Sequence, residues 1–111
     1  MYRTFVMTTE FDKQWKSMCL DDNDLRRLEQ EIIENPKVGA VVQGSGRLRK
    51  MRFAFEGKGK SRSARVTYVD FVVHETVYLI YAYPKNEKDN LSKEERNEIK
   101  KLIDCIEKAL G

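Results

Sequence analysis

Two runs of alternating character, Arg49-Lys50-Met51-Arg52-Phe53-Ala54-Phe55 and Ala64 to Val73, flank the segment Glu56-Gly57-Lys58-Gly59-Lys60-Ser61. A period of two marks a strand with one face on a core and the other in water. The glycines let the chain reverse between the runs, which predicts an antiparallel hairpin with two lysines at its tip. Between Gly44 and Arg65 the cations Arg47, Arg49, Lys50, Arg52, Lys58, Lys60, Arg62 and Arg65 face one acid, Glu56, a local balance of +7. The whole chain carries +3, so everything outside this stretch sums to −4. Such segregation builds a basic surface that attracts a polyanion.

The other elements follow from their own periodicities. Tyr2 to Met7 reads as a short first strand. Thr9 and Asp12 resemble a helix start, and Phe11, Trp15 and Met18 then form one apolar stripe. Leu25, Leu28, Ile32 and Ile33 predict a second helix from about Asp22, closed by Asn35-Pro36. The acids Asp21, Asp22, Asp24, Glu29, Glu31 and Glu34 read as a solvated face, with an electrostatic foil to the basic hairpin as the alternative. Lys37 to Gly46 is glycine-rich and weakly patterned and reads as a loop or an irregular run into the sheet. Strands are expected over 48–55, 63–73 and 76–83, with His74-Glu75 as a tight connection. Ser92-x-x-Glu95 is a capping box, and Ile99, Leu102, Ile103, Ile106 and Leu110 give the last helix one apolar face. The order predicts a single α+β domain over 1–111: a small curved antiparallel sheet with two N-terminal helices and one C-terminal helix. The helices are expected on one face, leaving the other open for arginines and lysines.

Several chemistries are disfavoured. His74 is the only histidine, and Cys19 and Cys105 lie far apart without ligand spacing, so no metal or other cofactor is expected. The cysteines read as reduced core or boundary residues. Gly59-Lys60-Ser61 mimics the end of a phosphate-binding loop, but Ala54 stands where that motif needs glycine. MYRTFVMTTEF lacks the long apolar segment of a secretory signal and no run is long enough to span a bilayer, so a cytoplasmic location without membrane partners is expected. Asn90-Leu91-Ser92 is then a chance match to a glycosylation sequon.

The basic hairpin has a plain alternative, a polar sheet face that keeps a small protein soluble and unpaired. Against it stand the abundance of arginine, whose fork matches phosphate oxygens, and the tyrosines Tyr68, Tyr78, Tyr81 and Tyr83 on the adjoining strands. Arg47, Arg49, Lys50, Arg52, Arg62 and Tyr83 are the expected RNA-binding residues, with Tyr83 stacking on a base. Tyr83-Pro84-Lys85-Asn86-Glu87 sets an aromatic ring, a cation and a carboxylate at the sheet margin.

GSGRLRKMRFAFEGKGKSRSARVTYVDF followed by YLIYAYPKNEKDNLSKEE, with its LRK, GKGK and Y-x-K-N-E-x-x-x-L-S, resembles the RelE/HigB toxins of bacterial type II toxin–antitoxin systems. The likeness covers most of the chain. It implies a RelE-like fold and an mRNA interferase, an endoribonuclease that cleaves messenger RNA on the ribosome, against its 16S rRNA, without a metal. It also implies neutralisation by a cognate antitoxin from the same operon, with operator DNA touched only through that antitoxin. Carried over residue by residue, the likeness makes Lys58 and Lys60 the loop cations, Arg65 the basic residue opening the next strand and Lys85 the cation after the last strand. Glu87 is the nearest carboxylate. The chain departs from some relatives in having no tyrosine or histidine after Asn86.

Metal-free cleavage requires the ribose 2′-hydroxyl to attack the adjacent phosphate, so the site must take a proton, hold a crowded anion and protonate the leaving 5′-oxygen. Arg65 and Lys60 are assigned to the phosphate, Lys58 or Glu87 to the base, and Lys85 to the acid or a second phosphate contact. The alternatives are a non-catalytic RNA-binding module and a basic interaction protein that docks an acidic partner.

Overall fold

The computed structural model describes residues 2–55, 62–85 and 90–111. Its elements are β1 (Thr4–Met7), α1 (Thr9–Ser17), α2 (Asp22–Glu34), β2 (Ala40–Val41), β3 (Arg49–Ala54), β4 (Ser63–Phe71), β5 (Thr76–Pro84) and α3 (Lys93–Leu110). The five strands lie in the order β1-β5-β4-β3-β2. The three central strands form the expected antiparallel meander, but the sheet is mixed because β1 runs parallel to β5. Only a long crossover can join parallel neighbours, and α1, α2, β3 and β4 all lie within it.

Each helix begins where its sequence supplies a cap. The Thr8 side chain accepts from the Phe11 N–H, one residue before the expected start. Asp21 with Asp24 and Ser92 with Glu95 each form a reciprocal capping box, satisfying two of the orphan donors at a helix start. Asp21 and Asp24 are thus structural rather than merely solvated. Glu29 and Glu31 are half-buried, and burial raises both carboxyl pKa values.

Helices pack on both faces of the sheet, correcting the expectation of a single helical layer. Phe11, Trp15, Leu28 and Ile32 from α1 and α2 meet Met51, Phe53, Val66, Tyr68, Val77, Leu79 and Ala82. Trp15 stacks on Phe11 at 5.4 Å, and Arg27 of α2 lies 4.1 Å above Phe53 while donating to the Ala54 carbonyl at 2.8 Å. On the opposite face Ile99 and Ile103 of α3 pack with Leu48, Val69, Phe71, Ile80, Tyr83 and Leu91. Leu102, expected in that apolar face, is 38% exposed. Amphipathicity says that a helix needs a sheet, not which side of it.

Smaller departures have local causes. β4 stops at Phe71 because Val72–His74 make a 3-10 turn that Glu75 closes in the left-handed region at φ 50°, in place of a two-residue hairpin. Of the two readings of 37–46, the run into the sheet holds for Ala40–Val41, which pair with Lys50 and Arg49 as a short edge strand. Gly39 permits this close approach: a Cβ there would lie 3.0 Å from the Lys50 carbonyl carbon and oxygen and 3.0 Å from the Tyr68 ring. Cys19 and Cys105 are exposed thiols, not core residues.

Candidate active site

A single irregularity in β5 decides which side chains share a face. From Ala64↔Pro84 to Thr67↔Tyr81 the β4–β5 register is regular, and it then shifts so that Tyr68 pairs with Leu79. Ile80 is the extra residue of a β-bulge, which re-aims the strand. The Thr67 hydroxyl accepts from the Tyr81 N–H at 3.0 Å, satisfying a donor at this irregularity. Before the bulge Tyr78 and Ile80 face α3; after it Tyr81 and Tyr83 do. Without the extra residue, Tyr83 and Lys85 would point at α1 and α2. The outer edge of β5 is closed by α1, where Thr8 Oγ1 donates to the Ile80 carbonyl at 2.7 Å and the Ala82 N–H donates to Gln14 Oε1 at 2.8 Å.

Paired residues of antiparallel strands project to the same side. Three rows therefore cross the α3 face: Lys50–Thr67–Tyr81, Arg52–Arg65–Tyr83 and Ala54–Ser63–Lys85. The last is extended by the Lys85 N–H donating to the Ser63 carbonyl at 3.2 Å. These rows hold Lys50, Arg52, Arg65 and Lys85 and no acid. Asp70, the sole acid within β3, β4 and β5, projects to the other face, where it takes two bonds from Arg3 at 2.7 and 3.2 Å. That carboxylate, through its hydrogen bond above all, raises the Arg3 pKa. Among the described residues no three histidine, cysteine, aspartate or glutamate side chains gather into a metal-ligating group.

A model of the RelE toxin of the RelE / RelB toxin–antitoxin system matches residues 2–110. The chain belongs to the RelE toxin family. Its fold is similar to that of the E. coli toxin RelE, in the free state of a mutant with two arginines changed to alanine. The TM-score is 0.55 at 17% identity, covering 80% of this chain and 90% of that one. At that identity the likeness speaks for the fold alone.

In this RelE-family toxin the residues singled out from sequence divide. Arg52, Arg65, Lys85 and Lys50 share one face, as the register requires. Arg49 does not: one residue away from Lys50, it projects to the opposite face and donates to the Gly39 carbonyl at 2.8 Å. Arg62 lies 5.8 Å from the Phe55 ring, and with Phe55 it belongs to the α2 side. Arg47 sits at the far end of β3, bonded to Glu107 of α3 and 5.1 Å from the Phe71 ring. Tyr83 is 4% exposed within the α3 cluster, so its ring forms a floor beside Arg65 and offers no face for stacking on a base. Lys58, Lys60 and Glu87 lie outside the described residues.

Sequence reading missed a groove beside these rows. It is lined by Ala40, Val41, Val42, Gln43, Lys50, Asn90, Leu91 and Arg96 and encloses about 500 Å³. Lys50 Nζ donates to Asn90 Oδ1 at 2.9 Å, and Arg96 Nη1 donates to the Leu91 carbonyl at 3.1 Å. Nothing in the α3 pattern sets Arg96 apart from the other charges of that helix. Only the packing of α3 on the sheet brings it beside β2.

Proposed function

We propose that this toxin is a ribosome-dependent endoribonuclease that stops translation by cutting messenger RNA. The 2′-hydroxyl attacks the adjacent phosphate and the 5′-oxygen departs. The observation that carries this reading is the placement of Arg52 directly opposite Arg65, one row from Lys85, on strands bearing no acid on that face. Cations directly opposite on neighbouring strands disfavour each other, and two unit charges ~7 Å apart repel by about 0.6 kcal/mol in water and about 2.4 kcal/mol at an effective dielectric of 20. Bridging by a phosphate converts that repulsion into attraction on both sides. The pentacoordinate transition state carries more negative charge than the ground state, so fixed cations stabilise it preferentially.

Arg65, half-buried in the central strand, is assigned to the phosphate because its neighbours on either strand fix its approach. Arg52 supplies the second fork. Lys85, exposed at the strand end, is assigned to the leaving oxygen. Ser63 Oγ is buried with no hydrogen-bond partner among the described residues and offers a further donor between Ala54 and Lys85. Lys58, Lys60 and Glu87 remain candidates for phosphate contact and proton removal on the family resemblance. The cognate antitoxin is the expected protein partner, holding this basic face away from RNA. Mapping 5′ ends of transcripts after induced expression of wild type, Arg65→Ala and Lys85→Ala tests the reading. Undiminished cleavage in both variants eliminates the site.

A further inference from the structure

The groove between β2 and the start of α3 opens on the same face as the Arg52–Arg65 row. Lys50 belongs to both: it lines the groove and stands two residues before Arg52 on β3. Two residues of strand advance about 6.7 Å, a stride comparable to one nucleotide of an extended strand. From these relations, and resting on the reading just proposed, we infer that the groove holds the nucleotide adjoining the scissile phosphate.

Its lining suits that ligand. Lys50 and Arg96 supply cations for the flanking phosphate, and arginine adds a planar surface on which a base packs. Ala40, Val41, Val42 and Leu91 present the apolar surface that a base or ribose covers. Asn90 and Gln43 carry amides, which both donate and accept and so read the hydrogen-bonding edge of a base. Lys50 fixes Asn90 through its side-chain oxygen, which directs the amide nitrogen as a donor. The volume of about 500 Å³ lies within the roughly 300–1,000 Å³ of small-molecule sites. Asn90 and Arg96 are therefore positioning and specificity residues, not members of the reacting set.

The test uses the intact toxin with a trinucleotide methylated at each 2′-oxygen, which binds without being cut, and in parallel with translated messenger RNA. Asn90→Asp places a negative charge at an exposed position outside every helix and strand, and Arg96→Gln removes the charge while keeping N–H donors on a side chain of similar reach. Thermal melts of both establish folding. The inference expects each variant to bind the trinucleotide about tenfold more weakly. Arg96→Gln should also lower the slope of log affinity on log salt by about 0.7. In the cleavage arm both should raise KM more than they lower kcat and shift the preferred cut sites. If folded variants bind and cut as wild type while Arg65→Ala is inactive, the groove is off the RNA path and the catalytic reading stands. If wild type cuts nothing yet groove variants weaken trinucleotide binding, the groove stands only as an RNA-binding site and the catalytic reading falls. Weakened antitoxin binding with unchanged RNA binding assigns the groove to the protein partner and overturns the inference.

Discussion

Arg52 and Arg65 face each other directly across the β3–β4 pair, and no acid stands in their row or in the rows on either side. Like charges placed directly opposite on a sheet destabilise it. Arg52 is exposed at that position. Arg52→Ala is expected to leave the melting temperature unchanged or raise it by a few degrees while lowering RNA cleavage by roughly tenfold or more, the pattern of a residue kept for function at the expense of stability. Calorimetry beside a cleavage assay checks both halves.

Gly39 and Tyr68 tie the 36–39 segment to the sheet. The Tyr68 hydroxyl accepts from the Gly39 N–H at 3.0 Å and donates to the Pro36 carbonyl at 2.7 Å. A methyl group at Gly39 would press on the Lys50 backbone, which cannot swing aside as a side-chain tip does. Gly39→Ala is expected to cost about 1–3 kcal/mol in chemical denaturation, with β2 the first element to lose amide protection.

The pair formed by Arg3 and Asp70 reaches across β5, since Arg3 precedes β1 and Asp70 belongs to β4. The two side chains are 9% and 10% exposed. Removing one partner leaves a largely buried charge, so Asp70→Leu alone should destabilise by about 3 kcal/mol, Arg3→Met alone should also destabilise, and the two together should cost much less than the singles sum to. A double-mutant cycle measured by urea unfolding separates the pair energy from the desolvation penalty.

Alkaline pH should loosen the fold through its buried phenols. Burial foremost raises the pKa of Tyr68, and of Tyr81, above the ordinary tyrosine value. A folded-state pKa above the unfolded one means full stability below about pH 10 and progressive loss as pH rises through the folded value. Tyr68→Phe should show a shallower decline over that range, even though it starts from a lower stability after losing two hydrogen bonds. Urea midpoints between pH 8 and 11.5 measure the slope.

How far the sequence discloses this molecule differs by element. The hairpin strands, the cap at Ser92 and the helix end at Asn35 are written in local patterns, and the structure places β3, β4 and α3 within two residues of them. The face on which α3 packs is a long-range choice that no local pattern encodes. Neither is the bulge at Ile80, which has no glycine to mark it and yet sets the direction of Tyr83 and Lys85. The separation of Arg49 from Arg52 follows from parity alone and was legible in the sequence. The burial of Tyr83 against α3 was not, because the extra residue moves it to a face that only the long-range packing of α3 covers.

The central claim is that Arg65, Arg52 and Lys85 act together on one phosphate. It is tested most directly by single-turnover cleavage of messenger RNA on programmed ribosomes with Arg65→Ala, Arg52→Ala and the double variant. Residues that grip the same phosphate are not independent. The double variant should therefore lose far less than the product of the single losses, with Arg65→Ala alone slower by roughly a hundredfold or more. Full activity in Arg65→Ala, or losses that multiply as for two unconnected sites, would contradict it.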